Sequence, residues 1–597
     1  MILMTFKSPL IYLASAFIIL VTSISIPYAP VHAFAENVTV TQTTGIAVSP
    51  YIWGVNYEGY SLYTSAAEFL ASMDAAKLAE LGPTIMRFPG GCIADVYDWE
   101  TSRIHFIKPD GTTADRTILS VEDAFTVAGQ INGDLIYQIN IDDGSVTNYC
   151  GAKSLEPGTV AKAQKLINTY KGRIHHIELG NEQWINWDPV KYATLAVQYA
   201  KAIKAIDPTI KIGLIGFGSG QVNLQARNTA WTAMIKQLFA SVCSTGPCFD
   251  YVADHPYATI THNPPFNGQN AYYPITNYGP LLQQLTADYA PKKYIATEWN
   301  LPCWGTPPGN TATNTVEHGM FVFSMLMEMA KNKVYMANYH DFTSTDWLSA
   351  GNGCSLFQGT SQFTPAGSAF SLSSVAAGGT MYDTIAAGPS LTIPPDNACT
   401  NGTGCIAAAA APYMSAYGVK QGNSLLVYLV NRHESETANT NITLSGFFNS
   451  GPKQVAISKL KATAYTDAAF VQANEIETSS GILAVNIEPL TIARLTFINQ
   501  FAGAPATNTP APTRTAANVT IPYPDAEPEE PQEMSIIMYI IASAVYIMLI
   551  HFAIAITKEF KIFLMVSLFV LGGVIGLFMH SLQAGFILSV ILTLFLW

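Results

Sequence analysis

Charge is scarce in this chain. Asp, Glu, Lys and Arg make up 12% of its 597 residues, and the basic ones are the minority, 30 against 42 acidic. A formal net charge of −12, with no Lys/Arg stripe, argues against a nucleic-acid partner, because a phosphate backbone is neutralised by clustered cations. Metal spacing is lacking too. The eight cysteines form no C-x2-C pair and have no neighbouring His ligands, so no metal site and no cofactor is expected. They suit an exported protein instead. Cys243 and Cys248, and likewise Cys399 and Cys405, flank short glycine-containing turns and fit local disulfides in an oxidising compartment. The pairing of Cys92, Cys150, Cys303 and Cys354 stays open. N-x-[ST] sequons begin at Asn37, Asn401, Asn441 and Asn518 and are compatible with surface glycosylation.

What the chain has in excess is apolar sequence, concentrated at its ends. Lys7, the apolar run Leu10–Ile26 and the small-residue patterns Val31-His32-Ala33 and Ala33-Phe34-Ala35 read as a signal peptide over 1–35, the alternative being an uncleaved anchor. Near the other end, Gly503–Glu533 is rich in Pro, Ala and Thr and then acidic, a composition that cannot bury a core and reads as a linker. Three apolar runs follow within 534–597, near 535–556, 563–579 and 582–597, and read as about three transmembrane helices. Lys558 and Lys561 place the loop between the first two in the cytoplasm. The expected location is therefore the cell surface, with a large extracytoplasmic domain. The helices hold few ionisable groups beyond His551 and His580, which favours anchoring over transport.

The length exceeds one compact core, and the middle divides by texture. Over residues 51–380, short β-rich apolar runs alternate with helical periodicity. The strand candidates are Ile52–Glu58, Thr84–Phe88, Asp134–Asn140, His175–Leu179, Ile210–Ile215, Tyr251–Asp254, Tyr294–Thr297 and Val334–Tyr339. Helices are expected at Ala66–Leu81, Val160–Tyr170, Tyr192–Ile206, Thr229–Val242, Leu281–Tyr289 and Thr315–Lys331. Eight such alternations predict an α/β fold, a (β/α)8 TIM barrel, with a doubly wound sheet as the alternative. Over 381–502 the pattern turns to short strands with polar breaks, which predicts a C-terminal β-sandwich. The strand-like segment within 36–50 is expected to join it.

In a barrel the chemistry gathers at the C-terminal ends of the strands. Those ends carry Glu58; Arg87; Asn140, Asp142 and Asp143; Asn181, Glu182 and Trp184; His255 and Tyr257; Glu298 and Trp299; and His340 and Asp341. Carboxylates and amides suit sugar hydroxyls, and aromatic rings suit apolar sugar faces. Cleaving a glycosidic bond takes two carboxyl groups, and Glu182 and Glu298, from opposite sides of the mouth, are the candidates. Each piece alone has a plainer reading: Asn-Glu as a helix start, RFPGG as a turn, the Trp residues as packing, Asp142 and Asp143 as a solvated turn.

The order of the motifs resembles clan A glycoside hydrolases, and in detail the family 51 α-L-arabinofuranosidases. The similar segments are G-x-x-x-E (Gly54 to Glu58), RFPGG then D-x-Y-x-W (Arg87 to Trp99), LGNE (179–182), EWN (298–300), and in the sandwich LVYLVNR (426–432) and EPLTIARLTF (488–497). The resemblance spans roughly residues 45–500. It implies Glu182 as general acid/base with Asn181 beside it, Glu298 as nucleophile, Glu58 on sugar hydroxyls, Arg87 and Tyr257 on Glu298, His255 on the same wall, and Trp299 at the substrate. Cys92 and the loop LPCWGTPPG after Glu298 depart from the family pattern and bear on the substrate more than on the reaction. The mechanism requires Glu182 to hold a proton beside an ionised Glu298 and to lose it once Glu298 is esterified. The expected partner is a polysaccharide or oligosaccharide. Other clan A activities (endo-glucanase, xylanase, heparanase-like glucuronidase), with Trp184, Trp187 and Trp304 along a cleft, and a non-catalytic glycan-binding role remain as alternatives.

Overall fold

The computed structural model describes residues 33–498 apart from 58–62, 146, 149, 218–224, 258–267, 302–313, 343–354, 359–360, 394–408, 448–452 and 480–481. All described residues belong to the first of two compact units, 1–514 and 515–597. The expected linker and transmembrane helices, and nearly all of the expected signal peptide, lie outside them. Among the described residues no helix is long and apolar enough to cross a membrane.

Eight parallel strands close into a barrel in the order in which the chain makes them: Gly54–Asn56, Ile85–Phe88, Asp134–Ile139, His176–Leu179, Lys211–Ile215, Tyr251–Asp254, Lys293–Trp299 and Met336–Tyr339. The last pairs with the first through Asn338 and Gly54. Helices cover the strands, so the strands are buried on both faces, which is why they read as apolar runs rather than alternating ones.

The helices differ from expectation in instructive places. The periodic stretch 66–81 forms two helices, Ala66–Ala71 and Ala75–Leu81, because Asp74 caps the second by accepting the Ala76 and Lys77 N–H groups. Two further helices, Val121–Gln130 and Pro365–Ser374, complete the outer layer; the first starts in a capping box between Ser120 and Asp123. Between the second and third barrel strands the chain also builds a small antiparallel sheet from Tyr97–Asp98, Arg103–Ile107 and Thr113–Thr117, joined by Lys153–Ser154.

Apart from three two-stranded pairs, the other strands of the described residues form one nine-stranded sheet. Ala33–Ala47 lies inside it, parallel to Thr437–Ser445 and antiparallel to Thr380–Ala387. The sheet rolls up. Met414 and Thr440 lie three strands apart in the order, about 14 Å on a flat sheet, yet Thr440 Oγ1 is 3.7 Å from Met414 Sδ. From near the opposite end, Lys459 Nζ donates to Asn486 O at 3.2 Å. The expected pair of separate sheets is thus a single sheet folded over its own apolar core. It locks to the barrel through Arg432, fully buried, which donates to Ala271 O, Ser415 Oγ and Ser324 Oγ.

Candidate active site

Two backbone turns aim the polar residues at the barrel mouth. After Arg87, Gly90 has φ +78°, and a Cβ there would stand 2.4 Å from Tyr57 O. After the fourth strand, Gly180 has φ +87°, and a Cβ would meet Gln183 Oε1 at 2.1 Å. Only glycine allows either turn. Gln183 then fixes the loop, accepting the Asn181 N–H at 2.7 Å and donating to Asp95 at 2.8 Å.

The turns bring together most of the expected residues. Arg87, fully buried, donates from Nη1 to Glu298 Oε1 at 2.6 Å, from Nη2 to Asn181 Oδ1 at 3.0 Å and from Nε to Glu178 Oε2 at 2.5 Å. Tyr257 donates its hydroxyl to Glu298 Oε2 at 2.9 Å. His255 Nδ1 is 2.9 Å from Glu182 Oε1 and 3.6 Å from Glu298 Oε2. One ligand atom each of Glu182, His255 and Glu298 lies within 4.8 Å of the others, but the group is read as a hydrogen-bonded pair of carboxylates about an imidazole and not as a set of metal ligands. Its atoms are already engaged with one another and with Arg87 and Tyr257.

The electrostatics separate the two glutamates. Burial opposes the charge on Glu298, but His255, Arg87 and His340 outweigh it and hold the carboxyl at about 2. Burial would lower the His255 pKa, yet Glu298, Glu178 and Glu182 push it up to about 10. Burial also opposes the charge on Glu178, and Arg87 with His255 overcomes it.

Other expectations change. Trp299, expected at the substrate, is fully buried and edge-on to Tyr339 at 5.1 Å. The cause is a register irregularity between Ala296 and Trp299. It lets Thr297 and Glu298, successive residues, both reach the polar network and turns Trp299 toward Tyr339, whose hydroxyl meets His318 on the covering helix. Trp184 packs on Phe217 and Trp187 lies under Lys191, and both are buried. Asp142 is not a solvated turn residue: it is buried, which pushes its pKa up to about 6. Glu58 and Trp304 lie outside the described residues, as do Cys303, Cys354, Cys399 and Cys405. Cys243 pairs with Cys248, and Cys92 with Cys150, bridging the loops after the second and third strands beside Asn181. Glu178 is the residue that sequence reasoning passed over.

No protein-family model matches the sequence, and no curated protein does. Solved structures do resemble the fold. An α-L-arabinofuranosidase from Thermotoga maritima, solved as an arabinose complex, is 16% identical over 78% of this chain and 99% of its own, with a TM-score of 0.58. The GH51 arabinofuranosidase from Xanthomonas axonopodis pv. citri is 14% identical over 78% of this chain and 100% of its own, with a TM-score of 0.57. A Paenibacillus polymyxa xyloglucanase from glycoside hydrolase family 44 is 14% identical over the same shares, with a TM-score of 0.54. The chain thus has the barrel-and-sheet fold seen in family 51 arabinofuranosidases and family 44 glucanases of clan A.

Proposed function

We propose that this chain is a retaining glycoside hydrolase, α-L-arabinofuranosidase-like, acting on polysaccharide or glycan chains at the cell surface and tethered there by its C-terminal apolar segments. One observation carries the reading: Glu182 and Glu298 face each other across the mouth with carboxylate oxygens within 4.8 Å. An approach within that bound suits the roughly 5–5.5 Å between the carboxyl groups of retaining sites better than the roughly 6.5–9.5 Å of inverting ones.

The roles follow from the surroundings. Glu298, kept ionised by His255 and Arg87, attacks the anomeric carbon. Glu182, less buried than Glu298, protonates the leaving oxygen and then takes the proton of the incoming water. Asn181, held by Arg87 and by Gln138 at 3.1 Å, presents its amide beside the scissile bond. Tyr257 and Arg87 fix the rotamer of Glu298. Glu58 binds sugar hydroxyls on the resemblance alone. A second reading, endo-cleavage of a glucan backbone, draws on the xyloglucanase and glucanase-xylanase among the structural neighbours.

The test is the full chain in detergent with an aryl α-L-arabinofuranoside, the first-formed anomer being read by NMR. Retained configuration is expected, and Glu298→Ala should abolish turnover with an unchanged circular dichroism spectrum. An inverted product or an active Glu298→Ala would refute the mechanism, and long oligosaccharides released from xyloglucan would favour the second reading.

A further inference from the structure

Glu178 has no task in the two-glutamate mechanism, yet it is fully buried at the heart of the site. Its Oε2 takes the Arg87 Nε–H at 2.5 Å. Its Oε1 takes the Thr297 hydroxyl at 2.6 Å and lies 3.8 Å from His255 Nε2. Glu178 therefore bonds one and lies within ion-pair range of the other of the two cations beside the reacting pair: Arg87, bonded to Glu298, and His255, which lies between Glu182 and Glu298. Resting on the hydrolase reading, we infer that Glu178 is the positioning residue of this site, the fixed anion that keeps Arg87 and His255 charged and in place while negative charge moves from Glu298 to Glu182.

The charge count shows why a third carboxylate is needed. In the first half-reaction a Glu298 oxygen bonds to the anomeric carbon. The bond to the leaving oxygen breaks, and that oxygen keeps the electron pair and takes the Glu182 proton. Beforehand, Glu178 and Glu298 are negative, Arg87 and His255 positive and Glu182 neutral, a sum of zero. Afterwards Glu298 is a neutral ester and Glu182 negative, again a sum of zero. In the second half-reaction water attacks the same carbon, its proton goes to Glu182, and Glu298 departs as carboxylate. His255 Nδ1, within 2.9 Å of one glutamate and 3.6 Å of the other, can serve whichever is charged. Among these five groups, removing Glu178 leaves each state one positive charge in excess, which is costly in a buried site, and loss of the His255 proton relieves it.

The groups facing the His255 imidazole are Glu178 and Glu182 from the fourth strand and its loop and Glu298 from the seventh, while Asp254 Oδ1 accepts the His255 backbone N–H at 2.9 Å. Tyr257 lies on the same loop, and His340 bears on Glu298 from the end of the eighth strand. The upward pull of Glu298 and Glu178 on His255 agrees with this arrangement.

The experiment uses the full chain labelled with 15N-histidine, the His255 imidazole signal being identified by its loss in His255→Asn and the other histidines serving as references. In the unsubstituted chain His255 should be an imidazolium at neutral pH. In Glu178→Gln its midpoint should fall by about 1–3 pH units, the effect of removing an opposite charge at this range, and kcat should drop about 100-fold through misplacement of Arg87 and His255. Glu178→Asp, which keeps the charge, should keep His255 protonated at neutral pH with kcat between the two. A folded Glu178→Gln chain whose His255 titrates as before overturns the inference. If that variant does not fold, a folded Glu178→Asp chain with neutral His255 at pH 7 overturns it equally. The spectra answer for Glu178 and the turnover for the hydrolase reading, so failure of one is distinguishable from failure of the other.

Discussion

A general acid matters in proportion to how badly the leaving group needs a proton. If Glu182 has that role, Glu182→Gln should slow hydrolysis of glycosides with alkyl leaving groups by about 10²–10⁴-fold and of those with strongly acidic phenols far less. A plot of rate against leaving-group pKa, steep in the variant and shallow in the parent, checks this; parallel plots would remove Glu182 from the acid role. The residues of this site were unevenly legible in the sequence. Arg87, Asn181, Glu182, His255, Tyr257 and Glu298 sit in motifs at strand ends and converge as their positions implied. Glu178 escaped because it lies inside a strand, where a carboxylate among His176, Ile177 and Leu179 gives no motif and is explained only by Arg87, Thr297 and His255 arriving from other strands. The burial of Trp299 was not legible, because the register irregularity that turns it toward Tyr339 leaves no mark in composition.

At the scale of elements, the first strand carries an anomaly with a measurable consequence. Phe34, Val38 and Val40 form the buried stripe of Ala33–Ala47, and alternation puts Glu36 on the same face. Its Oε1 is buried with no hydrogen-bond partner, and burial raises the carboxyl from 4.5 to about 7. The folded chain therefore binds this proton more tightly than the unfolded chain does. The stability Glu36 contributes is complete below about pH 4.5 and is lost as the pH rises through about 7. Glu36→Gln should leave the unfolding temperature at pH 4 nearly unchanged and raise it at pH 8. Equal pH slopes in scans of the two proteins would show that Glu36 finds a partner. The barrel strands were legible as elements because burial on both faces leaves unbroken apolar runs. The split at Asp74 and the small sheet over Tyr97–Thr117 were not, since a cap inside a periodic stretch and a short polar hairpin are both weak signals against the stronger period around them.

For the whole molecule, the question is which parts the chemistry needs. The nine-stranded sheet is not a detachable appendage. It contains the N-terminal strand Ala33–Ala47, and its Arg432 satisfies Ala271 O and Ser324 Oγ on the barrel side. A chain ending at residue 380 would strip Ala33–Ala47 of its partner Thr437–Ser445, expose the sheet-facing side of the barrel and leave those polar groups unpaired, so it should be insoluble. The segment after residue 502 carries no such ties in its composition: the linker cannot bury a core, and the apolar runs beyond it serve, on our proposal, only to anchor. A chain ending at residue 502 should therefore leave the membrane fraction for the soluble one and keep the kcat and KM of the full chain on a soluble aryl glycoside. On an insoluble polysaccharide the two forms should differ only in where the product appears. A truncated chain that is soluble and folded but has lost turnover would mean that the C-terminal segments take part in the chemistry, and the division between a catalytic unit and its anchor would have to be redrawn.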